Sequence, residues 1–210
     1  MSDGGAIHVI DDDAAVRHAL TFLFETAGFP VRSHGSAEAF LAAGAPGAGC
    51  VLTDVRMPGF GGLDLLRRLA ELGAAIPVIV MTGHADVPLA VAALKQGAFD
   101  FIEKPLDDDR LLTAVRRALE ADRRNRGEAA ELEGVIARLA SLTPREREVL
   151  DGLVAGHPNK TIAYDLGTSP RTIEVHRARV MEKMQARSLA DLVRMVLARD
   201  RAAAAKTPRT

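Results

Sequence analysis

The chain has a single cysteine, Cys50, one tyrosine and no tryptophan in 210 residues. A lone thiol excludes a disulfide framework and a cysteine-built zinc site, and it fits a reducing compartment. No apolar run approaches the roughly 20 residues that a membrane-spanning helix needs. Residues 1–5 are polar, with neither the cationic lead nor the long apolar stretch of a secretory leader. These absences predict a soluble, cytoplasmic protein with no membrane partner. Aromatic residues make up only 4% of the chain, so any core must be mostly aliphatic.

What is present suits two modest domains: 48% of residues are apolar and 26% charged. The formal net charge of −1 hides an asymmetry. Residues 1–120 carry 10 Lys+Arg against 16 Asp+Glu, residues 121–138 carry 4 of each, and residues 139–210 carry 13 against 8. A basic last third suggests a polyanionic partner such as double-stranded DNA, and the acidic first part argues that this partner does not touch it.

Up to residue 120, short apolar runs alternate with amphipathic stretches. Runs at 7–10, 31–34, 50–53, 76–81 and 100–103 are strand-length and rich in β-branched or aromatic residues. The stretches at 14–27, 37–43, 63–72, 87–96 and 107–119 read as helices. Five such repeats joined by short Gly- and Pro-marked connections predict an α/β doubly wound, flavodoxin-like domain over residues 5–120, with a five-stranded parallel sheet. Residues 121–138 lack strands, are rich in Ala, Glu and Arg, and read as a helical linker. From residue 139 to 203 the pattern is all helical. Thr143-Pro144-Arg145-Glu146 has capping-box spacing with proline at the first helical position, opening a helix to about Ala155. Asn159 caps a second helix, Ser169-Pro170 opens a third running to about Gln185, and Ser188 caps a fourth at 189–199. Residues 204–210 are of low complexity and read as a disordered tail.

In a doubly wound fold, chemistry is sought just beyond the carboxyl ends of the strands. Asp11, Asp12 and Asp13 follow the first strand, Asp54 ends the third and Lys104 follows the fifth. The fold would gather these carboxylates and a lysine at one sheet edge, and clustered carboxylates repel unless a cation joins them. Hard oxygen ligands with space for water and phosphate oxygens suit Mg²⁺. Helix capping alone would account for one or two of Asp11 to Asp13 but not for Asp54 or Lys104.

Four segments resemble the signature of response-regulator receiver domains, in order and at matching spacing. They are Ile10-Asp11-Asp12-Asp13, Thr53-Asp54-Val55-Arg56-Met57-Pro58-Gly59, Val80-Met81-Thr82-Gly83-His84 and Phe101-Ile102-Glu103-Lys104-Pro105. The resemblance implies that Asp54 takes a phosphoryl group from a sensor histidine kinase. It implies that Asp11, Asp12, Asp54 and the backbone carbonyl of Arg56 hold Mg²⁺, and that Lys104 and Thr82 contact the phosphoryl group. Phe101 would turn inward as Thr82 moves, altering a face around Val91 and Lys95 through which a homodimer forms. Lys104-Pro105 resembles the family's cis peptide, and Arg56 and His84 would tune hydrolysis of the phosphorylated form. The protein would not be an enzyme beyond slow autophosphorylation and autodephosphorylation.

From Leu142 onward the sequence resembles the LuxR/NarL/FixJ helix-turn-helix family. The matching blocks are Leu142-Thr143-Pro144-Arg145-Glu146-Arg147-Glu148-Val149-Leu150, Asn159-Lys160-Thr161-Ile162-Ala163 and Ser169-Pro170-Arg171-Thr172-Ile173-Glu174-Val175-His176. Four capped helices can present the third to a DNA major groove. Ile173, Val180 and Met184 form its inward stripe. Glu174, Val175 and Ala178 are the candidates for base edges, and Lys160, Thr168, Ser169, Arg171, Arg177 and Lys183 for phosphates, with Thr172 among the DNA-binding positions. His176 reads equally as a phosphate contact or as a hydrogen-bonded packing residue. On the fourth helix, Leu189, Leu192, Val193, Val196 and Leu197 fill the core or form a two-fold contact. Taken together the resemblance implies a two-component transcriptional regulator whose output domain is released on phosphorylation. RNA polymerase would be a further partner, and nitrogen-fixation regulators the targets. Two other readings are a constitutive DNA-binding protein with a receiver used only for dimerisation, and a magnesium-dependent aspartyl phosphohydrolase. The latter lacks its second acid, since Arg56 stands two residues after Asp54.

Overall fold

A computed structural model describes residues 5–44, 47–83 and 87–206. The chain divides into two compact units, Met1–Gly127 and Glu128–Thr210.

In the first unit, strands β1 (Ala6–Ile10), β2 (Val31–His34), β3 (Gly49–Asp54), β4 (Val78–Thr82) and β5 (Asp100–Glu103) form one parallel sheet in the order β2-β1-β3-β4-β5. Helices α1 (Ala14–Thr26), α2 (Ala37–Ala42), α3 (Gly62–Glu71), α4 (Val87–Lys95) and the first part of α5 (Asp108–Ala140) connect or follow them. Successive strand residues point to opposite faces, and this alternation builds two cores. Val51 and Val80 join Phe40, Leu65, Leu69 and Ala93 beneath α2, α3 and α4. Leu52, Ile79 and Met81 join Leu20, Phe24, Leu111 and Val115 beneath α1 and α5. Both faces of the sheet are thus covered, which is the doubly wound arrangement expected for near-continuous apolar strands.

The register decides what lies at the carboxyl edge. Asp54 is the last residue of β3 and pairs with Met81, while Thr82 ends β4 opposite Glu103. The expected β4 at 76–81 begins two residues later and reaches Thr82. Pro77 has no N–H to give a ladder, and its carbonyl accepts from Val51 at 2.9 Å just before the strand begins.

In the second unit, α6 (Pro144–Val154), α7 (Asn159–Asp165), α8 (Pro170–Met184) and α9 (Leu189–Lys206) pack around Val149, Leu150, Ile162, Ile173, Val180 and Leu192. Thr143 and Glu146 form the expected capping box, and the Ser169 side chain accepts from the Thr172 N–H. Three expectations are corrected. Val135, expected in a helical linker outside the core, lies on a helix as expected, since α5 runs to Ala140, but is buried beside Leu139 in the core formed with α6 to α9. Asn159 is the first residue of α7 rather than its cap; Pro158, already extended, occupies the cap without a side-chain bond. The tail expected to be disordered from 204 is helical through Lys206, since the alanines at 202–205 are the best helix formers available. Residues 207–210 lie outside the described residues.

Candidate functional site

At the carboxyl edge of the sheet, Asp11 follows β1, Asp54 closes β3, Thr82 closes β4 and Lys104 follows β5. Asp11, Asp54 and Thr82 are buried and Lys104 is half-buried. The Lys104 ammonium lies 3.0 Å from Asp11 Oδ2 and 2.8 Å from Asp54 Oδ1. Its backbone N–H donates to the Thr82 carbonyl at 2.7 Å, tying the lysine to the end of β4, and the Lys104–Pro105 bond is cis. The second Asp54 oxygen accepts from the Arg56 N–H at 2.7 Å, and Asp11 Oδ1 accepts from the Asp13 N–H at 2.9 Å. Chain passes closely beneath Asp54: a Cβ on Gly62 would stand 2.4 Å from the Asp54 carbonyl oxygen, so α3 can begin there only on a glycine.

The charges of this cluster do not balance. Two buried carboxylates share one ammonium, and burial makes a surplus negative charge costly. Burial pulls the Lys104 pKa down, but hydrogen bonds and charges from Asp54 and Asp11 outweigh it and hold the ammonium above the ordinary lysine range. Asp12, next in the chain after Asp11, is exposed. Among the described residues no three Asp, Glu, His or Cys side chains are placed to hold a metal ion. The two carboxylates of Asp11 and Asp54 nevertheless suit Mg²⁺, which binds through one or two carboxylates and keeps several waters.

Thr82 and Phe101 lie on neighbouring strands. Phe101 is half-buried against the core beneath α2, α3 and α4, while Val91 and Lys95 on α4 are exposed. His84 lies outside the described residues, and Arg56 has an exposed side chain.

On α8, Ile173, Val180 and Met184 are fully buried, which turns Glu174, Val175 and Ala178 outward to solvent with Arg171. Lys160 on α7 is exposed, and Thr168, Thr172 and Arg177 are half-buried. The Ser169 hydroxyl is engaged twice, accepting from the Thr172 N–H at 3.1 Å and lying 2.9 Å from the Thr172 hydroxyl. Lys183 departs from the expectation of a phosphate contact. Its ammonium sits 2.6 Å from the buried Glu146 carboxylate and 3.3 Å from the Ser141 carbonyl, so it is committed inside its own unit. His176 is half-buried and its Nδ1 has no hydrogen-bond partner among the described residues, which removes the hydrogen-bonded packing reading for that atom.

Sequence reasoning missed several residues whose partners lie far along the chain. His8 and His34 stack with ring nitrogens 3.2 Å apart, both edge-on to Phe40. Burial, then the neighbouring His34 and Arg32 charges, lower the His8 pKa to about 4. Asp122, buried on α5, accepts from the Gly49 N–H at 3.0 Å and pairs with Arg126 at 2.8 Å. Burial and the Asp122 charge push the Cys50 thiol up to about 12, so it is inert. Arg17 donates to the carbonyls of Asp11 and Asp12, at 2.8 and 3.0 Å. Only Arg17 carried a local signal, lying one helical turn past the Asp13 cap.

Comparison with known proteins identifies both units. Residues 7–116 match the response regulator receiver domain family, and residues 140–196 match the luxR family of bacterial regulatory proteins. The transcriptional regulatory protein FixJ of Azorhizobium caulinodans is 57% identical over 199 residues, 94% of either chain. The full-length FixJ structure from B. japonicum is 49% identical, with a TM-score of 0.59 over 96% of this chain and 99% of that one. The response regulator StyR is 36% identical, with a TM-score of 0.82 over 92% and 98%. With receiver and DNA-binding units both matched and near-complete alignment to FixJ, this chain belongs to the FixJ-like two-component response regulators and is a transcriptional regulator.

Proposed function

We propose that Asp54 is the phosphoacceptor and that its phosphorylation switches the DNA-binding unit. The observation that carries this reading is the Lys104 ammonium seated between Asp11 and Asp54. An Asp54 oxygen attacks the phosphorus of a kinase phosphohistidine; the O–P bond forms as the P–N bond breaks, and the histidine nitrogen takes up a proton. Lys104, already within 2.8 Å of Asp54, neutralises charge that builds on the phosphoryl oxygens. Asp11, Asp12, Asp54 and the Arg56 carbonyl would hold Mg²⁺, which supplies further stabilisation of those oxygens when bound. The Thr82 hydroxyl then donates to the new phosphoryl group, and Phe101, half-buried on the adjacent strand, moves inward. The face around Val91 and Lys95 forms the homodimer. Glu174, Val175 and Ala178 read base edges, while Lys160, Arg171 and Arg177 meet phosphates, with Thr168, Ser169 and Thr172 at the start of the helix.

The protein acts in the cytoplasm and has no turnover beyond slow gain and loss of its own phosphoryl group. Its output is contact with RNA polymerase at promoters of nitrogen-fixation regulators, the target that likeness to FixJ suggests. Sedimentation of the native chain and of Asp54→Asn, with and without Mg²⁺ and a small phosphodonor, tests the switch. Dimerisation confined to the native chain with both additives is expected. Identical behaviour of the two proteins would overturn it.

A further inference from the structure

We propose that Arg17 is a positioning residue for phosphotransfer, setting the backbone from which Asp11 and Asp12 project and thereby the affinity of the pocket for Mg²⁺. The inference rests on the reading of Asp11, Asp12 and Asp54 as the Mg²⁺ site.

The chain has little length in which to pass from strand to helix here. Asp11 is the first residue after β1, and Asp13 already caps α1, its side chain accepting from the Ala15 N–H at 2.8 Å. The connection therefore consists of Asp11 and Asp12, the two acids in question. One Arg17 nitrogen, Nη1, donates to both of their carbonyls, at 2.8 Å to Asp11 and 3.0 Å to Asp12. Two successive carbonyls converging on one donor must turn toward the same side. Each peptide is planar, so holding the Asp11 and Asp12 carbonyls sets the two planes that meet at the Asp12 Cα, and with the preceding plane held in β1 it constrains the Asp11 Cα as well. The other backbone ties are weaker or more local: the Asp11 N–H reaches the His34 carbonyl at 3.4 Å, and the Asp13 N–H reaches Asp11 Oδ1 at 2.9 Å, while Lys104 holds the Asp11 carboxylate itself at 3.0 Å without touching the backbone.

Arg17 is well placed for such a role. Its own N–H bonds the Asp13 carbonyl at 3.0 Å, so its Cα is held by the first turn of α1. Its guanidinium lies against Gly35, where a Cβ would stand 3.8 Å away. Among the described residues it makes no ion pair; its bonds go to the two carbonyls. Groups that orient ligands without touching the metal commonly govern metal affinity by about 10- to 100-fold. Asp12 is exposed, so water can replace the lost donor at its carbonyl, and the fold should tolerate removal of Arg17 better than the site does.

The test compares the native chain with Arg17→Ala and Arg17→Lys. Calorimetric titration with Mg²⁺ should show Kd raised about tenfold in Arg17→Ala, and by less in Arg17→Lys, whose ammonium can reach the carbonyls without the planar fork. The thermal midpoint in chelator should stay within about 3 °C of native for both. The Mg²⁺ concentration giving half-maximal phosphorylation by a small donor should rise with Kd, while the rate at saturating Mg²⁺ is held. Equal Kd in native and Arg17→Ala overturns the inference. So does a Kd rise matched by unfolding of the variant at the titration temperature. Absence of Mg²⁺ uptake by the native chain overturns the underlying metal reading itself, a result distinct from either.

Discussion

Two half-buried lysines, one in each unit, are paired with buried carboxylates, and their charges are matched differently. Lys183 meets a single acid, Glu146, whose Oε2 also accepts from the Thr143 N–H at 2.9 Å. Hydrogen bonds from Lys183 and then from Thr143 hold the Glu146 carboxyl down at about 2. Charge and hydrogen bonding balance, and the pair acts as a structural tie between the start of α6 and the end of α8. Lys104 instead meets two buried acids at once. There the balance is short by one positive charge. The Lys183 pair is closed, whereas the Lys104 cluster is left open by one negative charge.

The sharpest way to break this comparison is to remove each ammonium. Lys104→Met leaves two buried carboxylates facing one another and should cost roughly 3–5 kcal/mol in urea unfolding. Millimolar Mg²⁺ should return a substantial part of that, because a bound cation stabilises the folded state by mass action. Lys183→Met should destabilise the second unit with no response to Mg²⁺. If Mg²⁺ rescues both variants, or neither, the distinction between open and closed clusters fails.

Acid should separate the units next. His8 resists protonation in the fold down to about 4, whereas the unfolded chain takes its proton near 6.5. The first unit therefore loses stability as pH falls through that window, by at most roughly 3 kcal/mol. His8→Gln should flatten this slope. The depressed Glu146 carboxyl works in a lower window: its contribution is present above about 4.5 and fades as pH falls toward 2. Unfolding followed by a probe in each unit between pH 7 and 3 should show the first unit weakening before the second.

The smallest effect concerns DNA. Arg171 is exposed at the start of α8, and Arg171→Ala should weaken binding and reduce the slope of log affinity against log salt by about 1. Lys183→Ala, at a temperature where it stays folded, should leave that slope unchanged. A slope change for Lys183→Ala would restore it as a phosphate contact.

Much of this architecture is legible in the order of residues alone. Apolar runs announce β1, β3 and β4 because a strand covered on both faces has no polar side to show. In contrast, β2 and β5, at the edges of the sheet, carry polar residues and are read from their place between helical stretches. The meeting of Asp11, Asp54 and Lys104 follows from parallel strands ending at one edge. The inward stripe Ile173, Val180 and Met184 follows from helical spacing, and it exposes Glu174, Val175 and Ala178. Less legible are features that depend on which element packs on which. Glu146 is readable as half of a capping box, but its ion partner lies 37 residues away. Nothing local marks Asp122 as the acceptor for Gly49, 73 residues distant, or sets His8 beside His34. The Ala- and Glu-rich stretch after residue 119 is readable as helix, yet the burial of Val135 depends on the core formed by α6 to α9.

The sequence alone determined the element types, the two-unit plan and the residues available for chemistry, because periodicity, caps and strand-end placement are short-range properties of a chain. Only the tertiary structure decided which charges are shared and which are matched. It joined Lys104 to two acids and Lys183 to one, left Asp12 at the surface, and set Arg17 on the carbonyls of the acidic turn. The physical reason is that the energy of a charge depends on how deeply it is buried and what lies within a few ångströms of it, and both are set by packing between distant segments.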